Sequence, residues 1–172
     1  AAMPALRKSQ GRIVLVTSIA GRFGMPILPA YTCSKFALEG VAEVMRREVA
    51  QDGVKISTIE PGGIKTPMVE EQIATALQRR DALTSEQKER YGHLYEAFAR
   101  VAREGHNSTS STAEQIAAVV ISVLDTPDPE MRYVAGESAK RIIGMLETAP
   151  PRDFEAMVGK MFAKPETVAA AE

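Results

Sequence analysis

The chain has one cysteine, two histidines and no tryptophan among 172 residues. With Cys33 alone, neither an intrachain disulfide nor a cysteine-built metal cluster is available. His93 and His106 stand thirteen residues apart with no flanking cysteine or carboxylate cluster. No metal ligand set is expected, and both rings should be solvated or packed. Neither sign of charge is in excess. A net charge of -1 leaves no electrostatic footprint for nucleic acid or an anionic membrane. No apolar run approaches the ~20 residues that cross a bilayer, and no secretory signal opens the chain. A lone cysteine fits a reducing compartment, so the expectation is a cytoplasmic chain with no transmembrane segment and one buried core. The chain opens Ala1-Ala2-Met3, which leaves two readings: a processed start, or a piece of a longer protein.

What is present alternates between two periods. Residues 1–10 read as the end of a short helix, capped by Gly11. Ile13-Val14-Leu15-Val16 is continuously apolar and mostly β-branched, as in a parallel strand covered on both faces. Ser34 to Gln51 has helical spacing through Ala37, Val41, Val44, Met45 and Val49, and Gly53 ends it. Val54 to Ile59 is a second strand, which makes a βαβ crossover. Thr66 to Glu104 is charge-rich and helical with a break near Leu83-Thr84-Ser85, where Thr84 and Gln87 form a capping box. The run 107–111 reads as a polar loop. Ser111 with Glu114 is expected to cap a helix from Thr112 to Leu124, stopped by Pro127 and Pro129. A strand over Met131–Ala135, a turn at Gly136, a core helix over Glu137–Leu146 and a peripheral helix over Asp153–Phe162 complete the pattern. Only the tail 168–171 is low in complexity. The order predicts an α/β doubly wound parallel sheet. It divides into a core segment 1–66, a helical lid 67–106, and C-terminal helices with the last strand in 107–172.

The chemistry gathers where strands end, which in open parallel sheets is the ligand-binding edge. Ser18 follows the first strand. Tyr31 and Lys35 are four apart on one helix face. A lysine ammonium beside a phenol stabilises the phenolate and lowers the tyrosine pKa toward the operating range. Such a tyrosine passes a proton to or from a substrate oxygen, and Ser18 can hydrogen-bond the same oxygen. Cys33, between them, is expected to pack. Pro61-Gly62-Gly63-Ile64-Lys65-Thr66 ends the second strand. Each signal alone is commonplace, but their order on one βαβ unit is not.

In that order the chain resembles the C-terminal two-thirds of a classical short-chain dehydrogenase/reductase. Ser18-Ile19-Ala20-Gly21 matches the family's Ser-x-x-Gly, and Tyr31-Thr32-Cys33-Ser34-Lys35 its Tyr-x-x-Ser-Lys. Pro61, Gly62, Ile64 and Thr66 match Pro-Gly-x-[Ile/Val]-x-Thr. The resemblance implies a Rossmann-like fold and an NAD- or NADP-dependent interconversion of an alcohol and a carbonyl. Tyr31 would be the acid/base, Lys35 would also hold the nicotinamide ribose, and Ser18 would orient the carbonyl. The Ile64 backbone and Thr66 would meet the carboxamide, with Pro61-Gly62 shaping the approach. The lid, with Met68, Val69, Ile73, Leu77, Tyr91, Leu94, Tyr95 and Phe98, leans toward a bulky apolar substrate. The family's glycine-rich phosphate turn, cofactor-selecting residue, Asn-Asn-Ala-Gly segment and catalytic asparagine have no match. Gly21-Arg22-Phe23-Gly24 does not replace the turn, because it follows the serine strand and opens no suitable helix. The chain alone is therefore expected to be inactive or weakly active. It should associate as a homo-oligomer or with a missing N-terminal segment. The alternative is a non-catalytic, truncated dehydrogenase-like binding or oligomerisation module.

Overall fold

The structure, a computed structural model, describes residues 1–108 and 110–164; the low-complexity tail and Thr109 lie outside the described residues. A three-stranded parallel sheet in the order β1-β2-β3 carries helices on both faces. In chain order the elements are α1 (Met3–Ser9), β1 (Arg12–Val16), α2 (Pro29–Glu48), β2 (Lys55–Pro61), α3 (Pro67–Asp81) and α4 (Ser85–Ser108). Then come α5 (Ala113–Asp125), β3 (Arg132–Ala135), α6 (Glu137–Thr148) and α7 (Pro151–Met161). This is a partial Rossmann fold without N-terminal strands.

Pleat alternation assigns the layers. Ile13 pairs with Ile56 and Leu15 with Thr58, and these point to the face where Ala42 and Met45 of α2 and Val49 just beyond it pack, with Met3 and Leu6 of α1. Val14 and Ile59 point to the other face, against Ile116 and Val123 of α5. Val134 returns to the α2 face, where Ala139 and Ile143 of α6 cover it. Ile59 is wholly buried in the central strand, a site where a branched aliphatic side chain contributes about 1.5–3 kcal/mol.

Several boundaries differ from the expectation. The cap of α1 is Gln10, left-handed at φ 48°, and not Gly11. Helix α2 starts at Pro29 because proline at the first helical position has its φ already set and loses no needed N–H. It ends at Glu48 and passes through a 3-10 turn (Ala50–Asp52) to Gly53, whose φ of 71° closes it. The apolar stripe of α2 was misjudged from spacing. Val41 and Val44 are exposed, while Glu39 and Ala42 are buried against the sheet. Strand β1 is covered on both faces, by α2 and by α5, but incompletely: its residues are half-buried and Val16 is 48% exposed. The cause is position, since β1 is an edge strand paired only with β2 among the described residues. The capping box of α5 is Thr112 with Gln115, one residue later than expected. The loop starting at 107 is shortened because α4 runs to Ser108. The Thr84–Gln87 box is present in both directions. Among the described residues no helix is long and apolar enough to cross a membrane.

Candidate active site

Three chain segments end together at the carboxyl edge of β1 and β2. The first is the turn after β1. Thr17 is tied to the carbonyl of Ile59 through its amide (2.8 Å) and its hydroxyl (3.0 Å). Ser18 then caps the 3-10 turn Ile19–Gly21, its Oγ accepting from the Ala20 amide at 3.1 Å. Gly21 is needed there for space. A Cβ on it would lie 3.0 Å from the Lys35 carbonyl oxygen and 3.1 Å from Glu39 Cγ. The Ser-x-x-Gly spacing thus lets the serine turn lie directly on the backbone of the Tyr31–Lys35 helix.

The second segment is the first two turns of α2. Tyr31 is 38% exposed, and its carbonyl accepts from Ser34 Oγ at 2.6 Å. Lys35 Nζ donates to the Val16 carbonyl at 3.5 Å and stands 5.6 Å from the centroid of the Tyr31 ring. The ammonium therefore lies over the ring face, a contact worth about 0.5–1 kcal/mol at an exposed site. No hydrogen bond joins Ser18 to Tyr31 among the described residues. Cys33 is exposed and does not pack, because its helix position faces away from the sheet.

The third segment follows β2. Pro61, buried, pairs with Ala135, and the Gly62 amide reaches the Ala135 carbonyl at 3.3 Å. A Cβ on Gly62 would lie 2.8 Å from Ser138 Oγ and 3.1 Å from the Ala139 amide, so glycine lets the turn pass close to α6. Ile64 bridges Ser111 through its neighbours: Ser111 N–H donates to Gly63 O (3.0 Å) and Lys65 N–H to Ser111 O (2.8 Å). In a parallel bridge of this kind the amide and carbonyl of Ile64 itself point to the opposite side. Thr66 stands at the N-cap of α3 without a side-chain capping bond. The Ile64 amide and carbonyl thus point away from the bridge and the Thr66 hydroxyl makes no capping bond, a donor and acceptor set whose chemistry fits a carboxamide.

Beneath these segments lies a charged network that the sequence reading missed. Glu60, next to Pro61, is 0% exposed. Arg22 Nη1 reaches its Oε2 at 3.0 Å and Arg132 Nε its Oε1 at 3.4 Å. The same Arg132 Nε is 3.3 Å from Glu39 Oε2, and Thr58 Oγ1 also donates to that oxygen at 3.3 Å. Arg22 continues to Glu147 of α6 at 2.9 Å. Burial pushes the Glu60 carboxyl above the usual range; Arg22 pulls it back, Glu39 adds to the rise and Arg132 opposes it. Burial presses Arg22 downward, but the bonds to Glu147 and Glu60 hold its guanidinium above its ordinary value. The available signal was a glutamate interrupting each apolar pattern, at Glu39 in α2 and at Glu60 in β2.

Helices α3 and α4, the expected lid, pack on the segment that leads into Tyr31. Met25, Ile27 and Leu28 join Ala76, Phe98 and Phe162 in one apolar cluster. A cleft of about 270 Å³ is lined by Ile27, Leu28, Met68, Tyr95 and Phe98, with Glu71 and Arg79 among its polar walls. Ile73 is buried inside the lid, whereas Met68 and Tyr91 are exposed. The Nδ1 atoms of His93 and His106 are buried without a hydrogen-bond partner among the described residues, so these rings are packed in the lid helix.

Known proteins resemble this chain in sequence and in fold. A short chain dehydrogenase family model matches residues 1–77. A 3-amino-tetrahydro-pyrrolizinone reductase of Xenorhabdus hominickii is 33% identical over 139 residues, covering 81% of this chain and 49% of the relative. The 17-beta-hydroxysteroid dehydrogenase type 6 of Bos taurus is 30% identical over 166 residues, covering 95% and 52%. The chain spans about half the length of these curated relatives. In fold, a short chain dehydrogenase from Burkholderia cenocepacia J2315 crystallised with NADP superposes with a TM-score of 0.59 at 20% identity, covering 94% of this chain and 52% of that one. Over residues 1–77 the chain matches the short-chain dehydrogenase family, and its described residues form part of a Rossmann-like parallel-sheet fold.

Proposed function

We propose that the protein is an NAD(P)-dependent oxidoreductase interconverting an alcohol and a carbonyl, with Tyr31 as the proton-carrying group. The observation that carries this reading is the convergence of Ser18, Tyr31–Lys35 and Pro61–Thr66 at one sheet edge, with Gly21 seated on the carbonyl of Lys35. When bound, the nicotinamide supplies the hydride donor or acceptor. Lys35 brings a positive charge to Tyr31 and to the end of β1, where ribose hydroxyls would be held. Ile64 and Thr66 hold the carboxamide. Tyr31 gives its phenolic proton to the carbonyl oxygen in reduction and takes it back in oxidation. Ser18 hydrogen-bonds that same oxygen and stabilises the charge that develops on it.

For substrate, the apolar side of the cleft, Ile27, Leu28, Met68, Tyr95 and Phe98, favours a bulky and largely apolar alcohol or ketone, with Glu71 and Arg79 at its polar side. A relative whose name specifies a 17-beta-hydroxysteroid supports that class. The test is Tyr31→Phe in the complete protein, with an apolar ketone and reduced cofactor. Loss of the acid/base oxygen should lower kcat by about 10²–10⁴-fold, the span of general acid–base catalysis, with the circular dichroism unchanged. Near-normal turnover by the variant refutes the assignment. Dinucleotide binding without turnover in the wild type would instead support a binding module.

A further inference from the structure

Glu60, Glu39 and Arg22 belong to no motif, yet each sits next to one. Glu60 precedes Pro61-Gly62. Glu39 is one helical turn beyond Lys35, and its Cγ lies against Gly21. Arg22 immediately follows the Ser18–Gly21 turn. Through Arg22–Glu60 at 3.0 Å, Arg132–Glu60 at 3.4 Å and Arg132–Glu39 at 3.3 Å, one connected set of charges ties together the three segments that carry the site.

We propose that Glu60, Glu39 and Arg22 are positioning residues, a buried ionic clamp that sets the register of the Ser18 turn, the Tyr31–Lys35 helix and the Pro61–Gly62 turn. The proposal rests on the oxidoreductase reading for its catalytic consequence, but not for its structural one.

The energetics point away from a plain stabilising role. Burial raises the Glu60 carboxyl in spite of Arg22 and Arg132. The native state therefore holds this proton at a higher pH than the unfolded chain does. The sign follows: the contribution of Glu60 to stability declines as pH rises from the ordinary glutamate value through its raised native value. The ionised carboxylate is a cost to folding, and buried ion pairs are often less stabilising than apolar substitutes. What the charge provides is direction. It aims two guanidiniums from different elements at one point, and its other neighbours constrain it further: Glu39 and Arg46 from α2, and Glu147 of α6 through Arg22. Removing the charge does not strand a buried cation, because Arg22 keeps Glu147 and Arg132 keeps Glu39. A neutral side chain of the same shape at position 60 should thus leave the fold stable while loosening the register.

The test uses Cys33, the only cysteine in the 172 residues, exposed between Tyr31 and Lys35. A nitroxide on Cys33 reports the motion of the first turns of α2. In Glu60→Gln, the thermal midpoint should stay at or above that of the wild type at neutral pH, while the nitroxide becomes more mobile. The wild type should reach the same mobility only on acidification. In the reductase assay, kcat should fall by about 10- to 100-fold, the loss expected from ångström-scale misplacement, with KM little changed and the acid limb of the pH profile flattened. Glu39→Gln should move the same readouts in the same direction, and it carries the test should Glu60→Gln not fold. A folded variant with a wild-type nitroxide spectrum overturns the clamp. Failure of the oxidoreductase reading appears separately, as a wild type without turnover, and the Cys33 spectrum still decides the clamp.

Discussion

Replacing Gly21 by alanine is the smallest change that attacks the seam between the serine turn and the tyrosine helix. The new methyl carbon would lie 3.0 Å from the Lys35 carbonyl oxygen and 3.2 Å from its carbonyl carbon. Both are backbone atoms in the second turn of α2, so no side chain can rotate away. The third contact, Glu39 Cγ at 3.1 Å, belongs to a buried side chain already committed to Arg132 and Thr58. Over-packing of this kind costs about 1–3 kcal/mol. With a urea m-value of about 2 kcal/mol/M, a loss of ~2 kcal/mol moves the unfolding midpoint down by about 1 M. Gly24 is the internal control. It is exposed and nothing lies within 4 Å of a Cβ there. Gly24→Ala should leave the midpoint unchanged or raise it, since alanine narrows the unfolded ensemble by about 0.4–1 kcal/mol. Urea titrations followed by circular dichroism give both numbers. A Gly21→Ala midpoint equal to that of the wild type would refute the close-approach argument, and with it the account of why Ser18 and Tyr31 share one edge.

Two further outcomes follow from what the 172 residues contain. The residues proposed to hold a dinucleotide would reach only its nicotinamide end, and no glycine-rich turn among the described residues offers amides to the pyrophosphate. Each forfeited charge-assisted hydrogen bond is worth roughly 1.5–3 kcal/mol, so calorimetry on this chain alone should find NAD(H) or NADP(H) binding no tighter than about millimolar, since ~1.4 kcal/mol is tenfold. Micromolar binding would mean that the phosphates have another site. The edge of β1 that is unpaired among the described residues, with Val16 exposed, should recruit a further strand. Sedimentation at tens of micromolar, roughly where exposed strand edges associate, should therefore show self-association, and a stable monomer counts against it.

The architecture was readable because its signals are local. Runs rich in β-branched residues, helical spacing and glycine-containing turns are set by neighbours in sequence, and the order of Ser18, Tyr31–Lys35 and Pro61–Thr66 needs no coordinates. Apart from helix ends and caps shifted by a few residues, the differences concern which way a residue faces. Spacing placed Val41 and Val44 inside, but the face of α2 that meets the sheet is fixed by Gly21 and Ala42, and it carries Glu39 inward. Burial of β1 was overestimated because an apolar run says nothing about whether a neighbouring strand is present. Cys33, expected to pack between Tyr31 and Lys35, is exposed. The ionic clamp was invisible for a stronger reason. Arg22, Glu39, Glu60 and Arg132 are brought together by the sheet order, and no spacing in the sequence encodes their meeting.

The central claim is that hydride moves between a nicotinamide and a carbon whose oxygen is served by Tyr31. Reduced cofactor deuterated at the nicotinamide C4 position, supplied with a bulky apolar ketone, tests it most directly by mass spectrometry of the product. The account predicts an alcohol carrying deuterium at the carbinol carbon from the complete wild-type protein, and none above background from Tyr31→Phe. An alcohol without deuterium, or equal labelling by the phenylalanine variant, would contradict it.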